Sequence, residues 1–145
     1  MIKKLPYKTF LQTFKHVPRL AVSLVVVNGD KEVLWAKRGI PPLKDHWHLP
    51  GSFVLKGESL KECVKRVVKN ELAYTLPKKE LKLVGVFDDL SGDPRGHVVD
   101  VVYELQVSKD FKILNNKENK ELVFLKKIPR PVGFKHDLIV KNLNS

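Results

Sequence analysis

Residues 47–74 read WHLPGSFVLKGESLKECVKRVVKNELAY, and this stretch decides the fold. Its second half is an amphipathic helix. Ser59 is followed three residues later by Glu62, a capping box in which each side chain serves the other's main-chain N–H. Leu60, Cys63, Val64, Val67, Val68 and Leu72 recur at intervals of three and four, which lays one apolar stripe along the helix and leaves Lys61, Lys65 and Lys69 outside it. Pro77 ends the segment. The first half runs through Trp47-His48-Leu49-Pro50-Gly51 into a short strand expected at Phe53-Val54-Leu55, closed by Lys56-Gly57.

Upstream, LAVSLVVVN at 20–28 is rich in β-branched residues and stops at Asn28-Gly29-Asp30, a turn signal, so 20–37 reads as a hairpin whose second strand holds Glu32-Val33-Leu34-Trp35-Ala36. Gly39-Ile40-Pro41-Pro42 opens a loop. Downstream, strands are expected at Leu81–Phe87, Val98–Val107 and Glu121–Leu125, with a loop over Asp88–Gly96 and a short terminal helix at His136–Leu143. Strands, one long internal helix, more strands and a last helix predict an α+β or α/β sandwich.

The chain has 145 residues with 27 Lys+Arg against 16 Asp+Glu, a formal net charge of +11. That is one domain's worth of chain, and 43% hydrophobic residues suffice for a core. The longest apolar run, around Leu24–Val27, falls short of the roughly 18 residues that cross a bilayer, so no membrane partner is expected. No signal-peptide pattern follows Met1–Lys4, and a cytoplasmic protein is expected. The single cysteine, Cys63, reads as a small core residue. The lysines are dispersed from Lys3 to Lys141, a surplus that suits a phosphate-bearing partner without forming a basic tail.

The stretch at 47–74 resembles the Nudix family signature, G-x5-E-x7-R-E-U-x-E-E-x-G-U with U bulky and apolar, preceded by Trp and Leu-Pro-Gly. Registered on Leu49-Pro50-Gly51, it places Ser52 at the first Gly, Glu58 at the first Glu, Arg66 at the Arg, Val68 at the first U and Glu71 at the last Glu. Val67, Asn70 and Ala73 replace a Glu, a Glu and the closing Gly. The resemblance implies a Nudix-like α/β/α sandwich with a mixed sheet, a single domain over 1–145 with its core at about 18–143. It also implies Mg²⁺ or Mn²⁺ and the hydrolysis of a nucleoside diphosphate linked to another group. Gly51, through its carbonyl, Glu71 and Glu118 would be the metal ligands, with Glu71 and Glu118 the catalytic acids. So reduced a set holds one hydrated cation rather than two or three. Glu58 and Arg66 would brace the loop against the helix.

An apolar residue after the Arg and a lone final Glu resemble the GDP-mannose mannosyl hydrolase branch, where Arg38 would contact phosphate and a first-strand carboxylate aligns with Ser23. By analogy that branch suggests a homodimer. VGVFDDLSGDPRGHV at Val84–Val98 resembles the ADP-ribose pyrophosphatase-type segment, with Arg95 a second substrate arginine. Ordinary readings stand beside these. Glu71, Glu118, Arg38 and Arg95 could each be solvated charges, and Trp35, Trp47 and His136 packed residues. The expectation is a Mg²⁺-dependent hydrolase of a nucleotide sugar or a related diphosphate. The alternative is a catalytically inactive module that binds a nucleotide or RNA.

Overall fold

The computed structural model describes residues 2–72, 81–108, 111–113 and 119–143. In chain order the elements are α1 (Tyr7–Thr13), β1 (Arg19–Val27), β2 (Val33–Arg38), β3 (Trp47–His48), β4 (Gly51–Phe53), α2 (Leu60–Leu72), β5 (Lys82–Asp89), β6 (Val98–Gln106), β7 (Asn119–Leu125) and α3 (His136–Leu143). The strands run β3-β2-β1-β6-β5 across a mixed sheet, with β4 added to β1 and β7 to β2. Among the strands named, β1 and β6 pair in parallel, in register over the whole of β1 from Arg19↔Val98 to Val27↔Gln106.

Alternation along β1 sorts its side chains between two cores. Val22, Leu24 and Val26 join Val101 and Leu105 beneath the stripe of α2, where Cys63, Val64, Val67, Val68 and Leu72 are buried. Val25 and Val102 face the other way and pack with Trp35, Leu49 and the α3 residues Ile139 and Val140. One helix on each face makes the expected α/β/α sandwich. The capping box forms as read: the Glu62 N–H donates to Ser59 Oγ at 3.1 Å and the Ser59 N–H to Glu62 Oε1 at 3.2 Å.

Three expectations change. The 20–37 hairpin is splayed: β1 and β2 are antiparallel neighbours at Val27↔Val33, and beyond the turn β1 takes β4 as its partner while β2 takes β7 and β3. The short strand lies at Gly51–Phe53 rather than 53–55, because Gly51 lets β4 close on β1 with Ser23↔Gly51 and Ala21↔Phe53 in register. A Cβ on Gly51 would collide with the Val22 carbonyl oxygen. The helix α1 has no counterpart in the sequence reading, since seven residues are too few for a stripe. Aromatic edges hold it instead, with Phe10 and Phe14 at 5.3 and 5.5 Å from the Phe53 ring.

Candidate active site

The loop before α2 is fixed by Arg66. Its Nε donates to Glu58 Oε2 at 2.7 Å and its Nη2 to Glu58 Oε1 at 3.0 Å, while Nη2 also reaches the Phe53 carbonyl at 2.9 Å and Nη1 reaches Ser52 Oγ at 3.1 Å. Glu58 in turn accepts the Leu55 N–H at 3.1 Å. The forked, charge-assisted geometry lowers the Glu58 pKa from its ordinary value, chiefly through the Arg66 hydrogen bond, and raises that of Arg66. Burial, with the nearby Glu58 charge second, pushes the Cys63 thiol up to about 12.

At the far end of α2, Glu71 continues the apolar stripe and is buried. Its Oε2 accepts the Gly51 main-chain N–H at 3.2 Å, so helix and β4 meet at this carboxylate. Val67, one turn earlier, is wholly in the core, and Asn70 is exposed. Glu118 lies outside the described residues. Among the described residues no group of three or more His, Cys, Asp or Glu side chains could hold a metal ion. Glu71 and the Gly51 carbonyl are hard oxygen donors of the kind that would suit Mg²⁺ or Mn²⁺.

Gly51, Glu71, Arg38 and Arg95, distant in sequence, line one cavity of about 470 Å³, a size suited to a small organic ligand. Arg38, at the end of β2, donates through Nε to the Pro42 carbonyl and through Nη2 to the Pro41 carbonyl at 3.3 Å, and its guanidinium lies 5.2 Å from the centre of the Phe134 ring. Arg95 is paired bidentately with buried Asp93 at 2.9 and 2.8 Å, and its plane sits among Phe10, Phe14, Phe53 and Phe134 at 5.2–5.9 Å. The Asp-Pro-Arg turn therefore presents an arginine held by an aspartate and boxed by aromatic rings.

Two wall residues escaped the sequence reading. Arg19, the first residue of β1, stacks its guanidinium 5.7 Å from both Phe10 and Phe53, and its buried Nε has no hydrogen-bond partner among the described residues. Burial lowers its pKa from the ordinary value, although an arginine stays charged. Asp100 on β6 is 6% exposed. Its Oδ2 accepts the Ser23 hydroxyl at 2.8 Å and faces His136 Nε2 at 3.4 Å, while Oδ1 has no partner among the described residues. An unsatisfied buried acceptor costs of order 1–3 kcal/mol. His136 is packed, and its Nδ1 accepts the Leu49 N–H at 2.9 Å, which leaves the ring proton on Nε2 toward Asp100. Ser23 on the first strand thus meets a carboxylate from the neighbouring strand. The signal available in the sequence was one acid inside the apolar run VVDVVY.

A mixed sheet between two helices, with the Glu58–Arg66 brace closing a loop onto α2, defines the class of protein. Residues 17–138 match the NUDIX domain, and the chain belongs to that family. It is 34% identical over 143 residues to an ADP-ribose pyrophosphatase of Methanocaldococcus jannaschii, covering 98% of this chain and 81% of that protein. Among solved structures it is similar to the NUDIX domain of Shewanella oneidensis NrtR complexed with ADP ribose, with a TM-score of 0.73, 21% identity and 97% of each chain covered. It is also similar to a MutT/nudix family protein from Enterococcus faecalis, with a TM-score of 0.76, 21% identity and coverage of 97% of this chain and 69% of that one. No helix among the described residues is long and apolar enough to cross a membrane.

Proposed function

We propose that the chain hydrolyses a nucleoside diphosphate joined to a sugar, with ADP-ribose the first substrate to test. The observation that carries this reading is the convergence of Arg38, Arg95, Gly51 and Glu71 on one cavity, supported by the 34% identical pyrophosphatase. A bound Mg²⁺ or Mn²⁺ would neutralise the diphosphate and favour ionisation of water. Glu71 and the Gly51 carbonyl would hold it, with Glu118 proposed as the further acid. The fixed guanidiniums of Arg38 and Arg95 present positive charge to the diphosphate, and the backbone and aspartate bonds that hold them keep them from swinging into solvent. A cavity of this size favours a small ligand over RNA as the partner of the surplus positive charge.

Metal-dependent turnover of ADP-ribose and of GDP-mannose in ¹⁸O-labelled water tests the proposal. AMP and ribose 5-phosphate, with label on a phosphate, mean attack at phosphorus. GDP with label in the released mannose means attack at carbon, as in the mannosyl hydrolase branch. Binding of ADP-ribose without any turnover favours the non-catalytic reading, for which the burial of Val67 in place of a second box carboxylate speaks.

A further inference from the structure

We infer that Arg19 and Asp100 form a paired subsite for a phosphorylated ribose: Arg19 donates to a phosphate oxygen, and Asp100 Oδ1 accepts from the vicinal diol of the sugar that phosphate esterifies. The inference rests on the diphosphate-sugar reading above and names the part of the ligand that these two residues take.

Arg19 Nε and Asp100 Oδ1 are the two buried side-chain polar atoms without a partner among the described residues, and both residues line the same cavity. The strand register explains their placement. In the parallel β1–β6 pair, Arg19 lies beside Val98 and Ala21 beside Asp100, so both side chains leave the same sheet face two residues apart. At about 3.3 Å per residue they stand roughly 7 Å apart along the strands, the span of a sugar with its phosphate. One is an unmatched donor carrying positive charge, and the other an unmatched acceptor. Ala21, between Arg19 and Ser23 on this face, adds a small side chain to the wall and leaves room for a ring.

The environment of Asp100 fixes what it can accept. Ser23 Oγ donates to Oδ2 and His136 Nε2 faces it, so Oδ1 is the buried oxygen left for a hydroxyl to satisfy. A hydroxyl supplies the missing proton, whereas a phosphate oxygen there would be repelled. Arg19 supplies the complementary end, with its aromatic neighbours Phe10 and Phe53 holding the guanidinium in place.

Two sources offer this chemistry, the nucleoside ribose and the ribose beyond the diphosphate. Calorimetric titration of the whole chain without added metal compares AMP with its 2′- and 3′-deoxy forms, and ribose 5-phosphate with its 2- and 3-deoxy forms. In one of the two series, removal of a hydroxyl should weaken binding about tenfold or more, and that series identifies the source. Asp100→Leu should abolish this preference, since a side chain of similar size then offers the diol no hydrogen bond. Arg19→Gln should weaken hydroxylated and deoxy forms by the same factor, about tenfold. Equal binding of hydroxylated and deoxy forms in both series overturns the inference, as does a preference unchanged in Asp100→Leu. The unmutated protein alone decides if that variant does not fold. Absence of metal-dependent turnover together with an intact hydroxyl preference removes the hydrolase reading and supports the pair.

Discussion

Glu71 Oε2 accepts the Gly51 main-chain N–H at 3.2 Å, joining the end of α2 to β4 at the wall of the cavity. A glutamine keeps an oxygen for this bond and loses the charge a cation needs. Glu71→Gln should therefore lower metal-dependent turnover by about 100-fold or more, with a melting temperature within about 3 °C of the parent. Full activity in this variant would remove Glu71 from the proposed chemistry.

The glycine on the other side of that bond is fixed by contact with β1. Gly51→Ala would drive a Cβ into the Val22 carbonyl oxygen and against Ser23 Oγ, where the neighbour is backbone and cannot rotate away. A loss of about 2–3 kcal/mol is expected in urea unfolding, with the m-value unchanged.

The brace predicts an acid-dependent stability. Folding lowers the Glu58 pKa, so its contribution is complete above the ordinary carboxylate range, declines as pH falls below about 4.5, and is lost once pH passes the folded value. Glu58→Gln should cost about 3 kcal/mol at pH 7, since Arg66 is left without its charged partner. The gap between variant and parent should narrow toward pH 3, as read by urea unfolding at both pH values. A gap independent of pH would contradict the charge-assisted pairing.

The Cys63 thiol, pushed up to about 12 and buried, should be almost fully protonated at pH 8. A disulfide reagent should label it slowly in the native protein and within seconds in denaturant. Rapid native labelling would place the thiol at the surface.

Val67 and Glu71 stand one helical turn apart, and a carboxylate at 67 would restore a second acid to the box. Without metal, Val67→Glu should destabilise the protein by several kcal/mol, because a charge replaces a core methyl pair. Millimolar Mg²⁺ should return part of the loss as a rise in melting temperature that the parent does not match. An identical Mg²⁺ response in both proteins would mean that position 67 does not face the cation.

The sequence by itself determined the parts whose causes are local. The capping box, the stripe of α2 and the spacing of Glu58 and Arg66 depend on a 3.6-residue period and on side chains within a few residues of one another. They were legible for that reason, and with them came the family and the sandwich. Tertiary structure decided the rest. Arg19 and Asp100 share a face only because β1 and β6 pair in parallel at one register, and a shift of one residue would send either side chain into the opposite core. α1 is held by a ring on β4 some forty residues away rather than by its own stripe. The resemblance marks Arg95 as a substrate arginine, and the tertiary structure decides its setting, in the wall of the cavity with Phe10, Phe53 and Phe134 around it. Periodicity records which face a residue occupies. Which faces meet depends on long-range register, and that is how the arginines, the lone box glutamate and the buried aspartate come to share one cavity.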